Sequence, residues 1–564
     1  MASRQPLQPM DVTSLKAVLA EWRSQLLPSR FEKAQQPAPQ AIQLGLRSLA
    51  GMQWLELSWQ AEAARVHRID PPPRQGDGST FAQQLQHSLR GLALVQISQV
   101  GWERVVELGF ARRPGEAVER WLVAELMGRH SNLLLLDGQR QVIALARQVK
   151  GHQSRLRPIG TGDGYSSPPP LGGEPPRLAE SRASWQRRLA LLPLPLEKAL
   201  LGAYQGVSPA LVSQLLSVEE RQRPVHDLQP CHWDGLWRRW QSWLEAVEQG
   251  HFGWHSEGAC YRCWPGDGGA APSDGWLLNR ALATYYGERL AERQEHQRRQ
   301  QLQQSLQEAI SRERRQEEEQ LRLLAATGGS EALQRQADGL LSQRAPSKAC
   351  IEEAQTLYKR ARKLRRAVEL ITERLALHRQ RLEALEDSLT YLDQADDAED
   401  LEALGHDLET LLGSRRRRNG RDSRRHQERG VPRPLELHTP GGLTVQVGRN
   451  HRQNEWISLR QARRGDLWFH AQEIPGSHVV LKSSAAPASD GDLQLAADLA
   501  AHFSRGRGNA RVPVVMVPTD DLQRIPAAAP GTVRHRGGTV LWGEPQRVHP
   551  LLHTPPSLMA APQP

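Results

Sequence analysis

Residues 445–482, VQVGRNHRQNEWISLRQARRGDLWFHAQEIPGSHVVLK, compress turn residues, aromatics, histidines and arginines into a few short strands. Leu443, Val445 and Val447 alternate ahead of Gly448, Arg449 and Asn450, the pattern of a half-buried strand entering a tight turn. Asp466, Leu467, Trp468, Phe469 and His470 run into a reversal at Pro475 and Gly476. Ser477, His478, Val479, Val480 and Leu481 then return, so the stretch predicts a hairpin. Arg463 and Arg464 put phosphate-pairing cations beside aromatic faces that stack on bases or sugars. The whole reads as a surface built to hold nucleic acid. The ordinary alternative for Trp468 and for Phe469 is core, where large aromatics on short strands usually lie. Asp466, His470 and His478 lack the cysteines or second acidic group of a metal site, so no metal is expected.

The rest of the composition agrees with a polyanionic partner. Among 564 residues, 73 Lys+Arg against 63 Asp+Glu give a net charge of +10, which fits RNA, DNA or an anionic membrane. The length leaves room for roughly three or four domains. The N-terminus, MASRQPLQPMDVTSLK, lacks a basic segment followed by an apolar run, and no stretch approaches about 18 continuous apolar residues, so a cytoplasmic protein is expected. Four cysteines in this length make no disulfide framework. Cys260 and Cys263 form a CxxC with Cys231 and His232 upstream, but the second half of a zinc knuckle is missing.

Along the chain, Leu15, Val18, Leu19 and Trp22 mark one early amphipathic helix. Short strands are expected at 54–59, 92–100, 104–110, 132–136 and 142–146, making an α+β domain with antiparallel pairing. The Gly/Pro/Ser-rich segment 160–177 is a boundary. In YQGVSPALVSQLL, Ser208 reads as an N-cap with Pro209 at the first helical position. Ala361, Leu364, Val368, Ile371, Leu375, Leu382, Leu385, Leu389 and Leu392 alternate by three and four, with His378 in the seam. That is a coiled-coil arm, whose partner is the helix from about 279 to 324 through Leu302, Leu306 and Ala309, with the turn beginning at Gly328 and Gly329. Such an arm of about 45 residues extends roughly 60 to 70 Å. After Leu412, SRRRRNGRDSRRHQERG carries Arg415, Arg416, Arg417, Arg418, Arg424 and Arg425 and no apolar residue. It is a basic linker suited to RNA contact without sequence preference.

The stretch GRNHRQNEWISLRQARRGDLWFHAQEIPGSHVVLK resembles, without gaps, the C-terminal motif of the NFACT proteins, once called fibronectin-binding protein A. Phe31, Glu32 and Lys33, the run from Glu125 to Asn132, and Ser154, Arg155, Leu156, Pro158, Gly160 and Tyr165 are similar to that family's N-domain. YQGVSPALVSQLL resembles its helix-hairpin-helix module, and residues 496–517 and 530–545 its RNA-binding domain. The resemblance divides the sequence into an N-terminal domain (1–160), a linker (161–180), a helix-hairpin-helix module with a β segment (181–278) and a coiled-coil arm (279–412). A basic linker (413–432), an α+β RNA-binding domain (433–548) and a disordered tail (549–564) follow. It also implies that the N-domain is similar to that of the formamidopyrimidine-DNA glycosylases.

Bacterial NFACT proteins recognise large (50S) ribosomal subunits still carrying a stalled peptidyl-tRNA. They guide charged tRNA, alanyl by resemblance, to extend the stalled polypeptide with a C-terminal tail that marks it for degradation. The resemblance therefore implies a ribosome quality-control factor that works with other such factors, has no cofactor and performs no catalysis itself. Its tRNA-binding residues would be Glu103, Arg104, Arg129 and His130 in the N-domain and Arg449, Asn450, Arg463, Arg464, Asp466, Trp468, His470, Ser477 and His478 in the C-terminal domain. The family usually has aspartate where Glu103 stands, and the longer side chain puts tail synthesis in doubt more than ribosome binding. Read without the family, Glu103 and Arg104 are strand neighbours facing opposite ways. Arg129 to Asn132 lie before a strand, where donors converge on an anion or simply cap.

Two rivals stand against this reading. A repair glycosylase of the same fold needs an N-terminal proline amine and a four-cysteine finger, whereas the sequence opens Met1, Ala2, Ser3, Arg4. A fibronectin-binding surface adhesin needs export, for which no signal is recognisable.

Overall fold

The computed structural model describes residues 7–73, 79–152, 154, 157–169, 172–265, 275–342, 344–345, 347–412, 431–525 and 529–552. The protein is a multidomain α+β molecule that divides into two compact units, Met1–Ala291 and Glu292–Pro564.

The first unit is built on a nine-stranded sheet of order β4-β3-β2-β1-β5-β6-β7-β8-β9, antiparallel throughout. Its strands are β1 Ser29–Ala38, β2 Ala41–Ser48, β3 Gly51–Ser58, β4 Arg65–Ile69, β5 Ala93–Gln99, β6 Val105–Ala111, β7 Arg120–Glu125, β8 Asn132–Asp137 and β9 Val142–Leu145. β8 reads as an unbroken apolar run because both of its faces are covered. Leu133 and Leu135 join the main core, while Leu134 and Leu136 pack with Val105, Val123, Val142 and Ile159 on the other side. α1 (Val12–Leu26) starts where the Asp11 carboxylate accepts from the Ser14 amide at 2.8 Å, and it buries Leu15, Val18, Leu19 and Trp22. α2 spans Thr80–Leu89.

The helical module does not stand apart from this sheet. α3 (Arg182–Leu189), α4 (Leu196–Ala203), α5 (Pro209–Leu215) and α7 (Pro230–Gln249) share one continuous core with the strands, while α6 (Val218–Gln222) lies outside it with no buried residue. Trp243 donates through Nε1 to Thr13 Oγ1 at 3.0 Å, and its ring lies 4.9 Å from that of Trp240. Ser208 caps α5 with Pro209 at its start, as the sequence predicts. The hairpin β10 (His255–Glu257) and β11 (Cys260–Arg262) carries the CxxC. Cys263 is buried while Cys260 is exposed, and among the described residues no group of three metal-ligating side chains converges.

α8 (Leu277–Ala326) begins inside this core rather than at a domain boundary near 279. Asn279 is fully buried, and its Oδ1 accepts from Trp22 Nε1 at 2.9 Å and from the Arg68 amide at 2.8 Å. Leu282 and Tyr286 are also core residues.

In the second unit the arm is antiparallel, as the seam predicts. α8 pairs with α10 (Lys348–Gln394) through Leu302, Leu306, Ala309 and Ile310 against Leu382, Leu385 and Leu392. Arg299 donates to the Leu392 carbonyl at 2.6 Å, and further along Glu317 meets Arg379 at 2.9 Å. His378, the interruption in the seam, meets the Glu313 carboxylate at 2.7 Å. The backbone does not reverse at Gly328 and Gly329. Gly329, at φ 140°, only breaks the helix, and α9 (Ser330–Leu341) goes on packing along α10, with Gln334 accepting from Arg365 at 2.5 Å. The reversal lies between Leu341 and Lys348. The 47 residues of α10 span about 70 Å at the helical rise.

α11 (Ala398–Leu411) follows, and the arginines 415–418, 424 and 425 lie outside the described residues. Beyond them is a six-stranded antiparallel sheet of order β12-β13-β15-β14-β16-β19. Its strands are β12 Leu435–His438, β13 Thr444–Val447, β14 Leu467–Ala471, β15 Val479–Leu481, β16 Val512–Pro518 and β19 Thr539–Gly543, and β17 Leu522–Arg524 pairs separately with β18 Val533–His535. The predicted hairpin is present, with Leu467 opposite Leu481 and Phe469 opposite Val479. The polar stretch after the turn predicted at Gly448, Arg449 and Asn450 is helical: α12 (His451–Glu455), capped by the Asn450 side chain, runs into a π-turn, Trp456–Arg460. α13 (Asp490–His502) covers one face of the sheet. α14 (His549–Leu552) makes the start of the expected disordered tail a short helix, with the His549 ring 5.1 Å from that of His502.

Candidate nucleic-acid interface

In the first unit, Glu103 and Arg104 sit in the tight turn before β6, not on the strand, so the opposite-faces reading is corrected. The Arg104 carbonyl accepts from the Leu126 amide at 2.9 Å, which puts this turn beside the end of β7 and hence beside the 3-10 turn Gly128–His130. The four predicted residues therefore share one end of the sheet, with Arg129 and His130 both exposed and 3.0 Å apart. Ser131 and Asn132 are structural: Ser131 Oγ accepts from the Met127 amide at 2.9 Å, and Asn132 Oδ1 from the Leu133 and Arg147 amides at 3.0 Å.

The Arg104 guanidinium makes a long hydrogen bond, 3.4 Å, to the Met10 carbonyl. Burial works against its charge, and the nearby charges of Asp11 and Glu103 work for it. A half-buried guanidinium held loosely over a carbonyl is well placed to accept a phosphate. Next to it, Trp102 is clamped between Lys16, 4.6 Å above its ring, and the Tyr204–Pro209 turn, where Gly206 has φ 72°. A Cβ at Gly206 would stand 3.1 Å from the Trp102 carbonyl, so the turn needs glycine twice over. Sequence reading did not bring this turn and the Glu103–Arg104 pair together.

In the second unit most of the predicted contacts are internal. Asp466 is fully buried; burial opposes its charge, but hydrogen bonds from Ser484 and the Arg463 amide and the Lys482 ammonium at 3.2 Å hold the carboxyl below its ordinary range. Arg449 is tied to Asp400 at 2.7 Å, Asn450 caps α12, and Ser477 is buried with its amide on the Phe503 carbonyl at 2.8 Å. Phe469 belongs to the core under α13. Trp468 is 3% exposed, packed with Ile457, Val480, Val515 and Val517, so it is not an open stacking platform. What stays available to a partner is Arg463, Arg464 at 94% side-chain exposure, and the partly exposed His470.

The buried histidines tie α12 to α10 and the start of β15 to the π-turn. His451 Nε2 lies 2.9 Å from Ser388 Oγ, and His478 Nδ1 lies 2.8 Å from Ser458 Oγ. Asn454 donates to Tyr391 Oη at 2.8 Å, and Tyr391 donates onward to the Gly476 carbonyl at 3.2 Å.

Residues 11–345 and 343–426 match the NFACT N-terminal and middle domains. The protein belongs to the NFACT family. Residues 435–537 match the NFACT protein RNA binding domain. Over 93% of this NFACT protein and 96% of the relative, it is 26% identical to the Rqc2 homolog RqcH of Streptococcus pneumoniae. It is 24% identical to the Rqc2 homolog RqcH of Bacillus subtilis over 91% and 94%. A solved C-terminal piece of the fibronectin/fibrinogen-binding protein from Streptococcus suis is 30% identical, covering 44% of this protein and 95% of its own length, with a TM-score of 0.38.

The histidines of the NFACT RNA-binding domain give its stability a pH dependence. Burial brings His451 and His470 down to about 4, and His478 well below its ordinary value. The folded state resists their protonation, so their contribution is full above about 6.5 and is lost as pH falls towards 4. Asp387, raised to about 8 by burial and the neighbouring Glu383, runs the other way across the same range. His502 is lowered likewise, while Asp400 and Asp498 are raised, so four imidazoles stand against three carboxyls and a net loss on acidification is expected. Calorimetry at pH 7 and pH 5 is expected to show the second unit melting at lower temperature in acid.

Proposed function

We propose that this NFACT protein is a cytoplasmic ribosome quality-control factor. It binds large ribosomal subunits that hold a stalled peptidyl-tRNA and recruits charged tRNA, alanyl in the first instance, for addition of a C-terminal tail. The observation that carries the reading is the RNA-binding-domain match at 435–537 in a protein that aligns over 93% of its length with relatives named Rqc2 homolog RqcH. The cluster of Arg104, Arg129 and His130 supports tRNA contact in the first unit, and Arg463 and Arg464 support RNA contact in the second. The coiled-coil arm serves as a spacer, and the arginine-rich linker adds salt-sensitive RNA affinity.

The protein's contribution is orientation and effective concentration, with bond formation left to the ribosome's RNA centre. Other quality-control factors then act on the tailed product. The N-terminal sheet is read as similar to the glycosylase N-domain without its chemistry, since shared fold does not carry function. No helix among the described residues is long and apolar enough to cross a membrane.

Arg104→Ala is expected to weaken tRNA recruitment roughly tenfold or more, as loss of a charge-assisted phosphate contact does, while large-subunit binding stays intact. Purified-component binding and tailing assays check this. Unchanged tRNA occupancy and tailing would remove Arg104 from the proposed site. Glu103→Asp, which restores the usual family residue, is expected to leave tailing equal or faster.

A further inference from the structure

In the second unit, the sheet face opposite α13 leads into a cavity of about 450 Å³ between α10, β14 and the 531–535 segment. Asp387, Tyr391, Trp468, His470, His478 and His535 line it. Its wall is aromatic: the Trp468 and His470 rings are parallel, 5.5 Å apart at 6°, and His478 stands edge-on to both. Most of its polar groups are engaged, Tyr391 and His470 on the Gly476 carbonyl and His478 on Ser458. The indole N–H of Trp468, by contrast, is buried and, among the described residues, without a hydrogen-bond partner. A buried donor left unpaired is costly unless something else completes it.

The remaining polar wall selects what can do so. Glu383, Asp387 and Glu473 face Arg379, whose charge is shared with Glu317 at 2.9 Å. A phosphate is unwelcome there, and an amino group is not. Burial keeps Asp387 protonated up to about 8, so at neutral pH it both donates and accepts. Arg534 and Arg536, the chain neighbours of His535, are exposed cations that can pair with backbone phosphates.

The open face continues in register. His470 pairs with Val515 and Val515 with Val540, and two residues on, the same face of edge strand β19 presents Trp542 at 58% exposure.

We propose that this cavity receives one unpaired, amino-bearing nucleobase of a bound RNA, adenine foremost. A ring nitrogen of the base takes the Trp468 N–H and its exocyclic amine meets Asp387, while Trp542 stacks a neighbouring base on the open sheet face. The inference rests on the RNA-binding reading of this domain and adds a base preference to it.

The test uses the full-length protein with single-stranded hexanucleotides, oligo-A and oligo-U, at fixed salt. Wild type is expected to bind oligo-A about tenfold more tightly than oligo-U, the scale of one well-made base contact. Trp468→Phe, which keeps an aromatic ring and removes the N–H, is expected to erase that preference. Trp542→Ala, at an exposed site, is expected to weaken both oligonucleotides alike while melting as wild type does. Equal affinity of the wild type for the two, or a preference undiminished in Trp468→Phe, overturns the proposal. Co-sedimentation with large subunits is read in parallel. Subunit binding without base preference defeats the cavity proposal alone, whereas base preference without subunit binding supports the cavity and defeats the ribosomal reading.

Discussion

Arg157→Ala is expected to cost the first unit about 3–5 kcal/mol, the loss typical of stranding one member of a buried ion pair. Glu125 ends β7 with its side chain 2% exposed, and both of its oxygens take the Arg157 guanidinium, at 2.6 and 2.9 Å. Tyr165 Oη donates to the same carboxylate at 3.1 Å, and its ring lies 5.3 Å from the guanidinium carbon. Burial opposes the charge on Arg157, but the bidentate pair outweighs it and raises the guanidinium above its ordinary range. With arginine removed, a carboxylate nearly sealed from water keeps, among the described residues, a phenol as its side-chain partner. Adding Glu125→Gln to Arg157→Ala is expected to recover part of the loss, because an amide is far cheaper to leave unpaired than a carboxylate. Denaturant unfolding measures both. A loss below about 1 kcal/mol for Arg157→Ala would put the pair in the class of surface salt bridges.

The second large effect is on the C-terminal domain. Trp468→Ala empties a site 3% exposed and walled by Ile457, Val480, Val515 and Val517, for an expected loss of about 3–5 kcal/mol. Thermal unfolding of the second unit would register this as a clear drop in Tm, with weakened RNA binding a consequence of unfolding. A variant that melts as wild type does yet loses RNA affinity would contradict the buried placement. Phe469→Ala, under α13 on the other face, is expected to behave similarly.

That contrast marks how far the sequence reaches. The hairpin, the coiled-coil seam, the Ser208–Pro209 helix start and the strands at 132–136 and 142–146 were legible because each rests on a local period or a local cap. The surface was less so. Residues 466–470 and 477–478 have the composition of an RNA-facing edge, yet Asp466, Ser477 and His478 are buried partners of their own fold. Composition along a strand says which residues alternate, not which face α10 and α13 will cover. The 451–460 helix was missed because its residues are polar, and its buried polar face, with Asn454 and His451 bonded to α10, mimics an exposed one. Gly328 and Gly329 look like a hairpin and act as a helix break, since α9 finds fresh surface on α10 beyond them. In the first unit, Glu103, Arg104, Arg129 and His130 were named separately, and only the β6–β7 pairing sets them at one end of the sheet. Trp102, Trp542 and His535 carry no sequence signal that separates them from other aromatics.

At the centre stands our proposal that this NFACT protein positions RNA on large ribosomal subunits and makes no bond unaided. Affinity purification from cells, with sequencing of the bound RNA and mass analysis of the ends of stalled nascent polypeptides, tests this most directly. The expected result is free large subunits carrying peptidyl-tRNA, one enriched tRNA species and short C-terminal extensions that vanish in Arg104→Ala. A protein that sediments away from large subunits at low ionic strength, while turning over a small molecule alone, would contradict it.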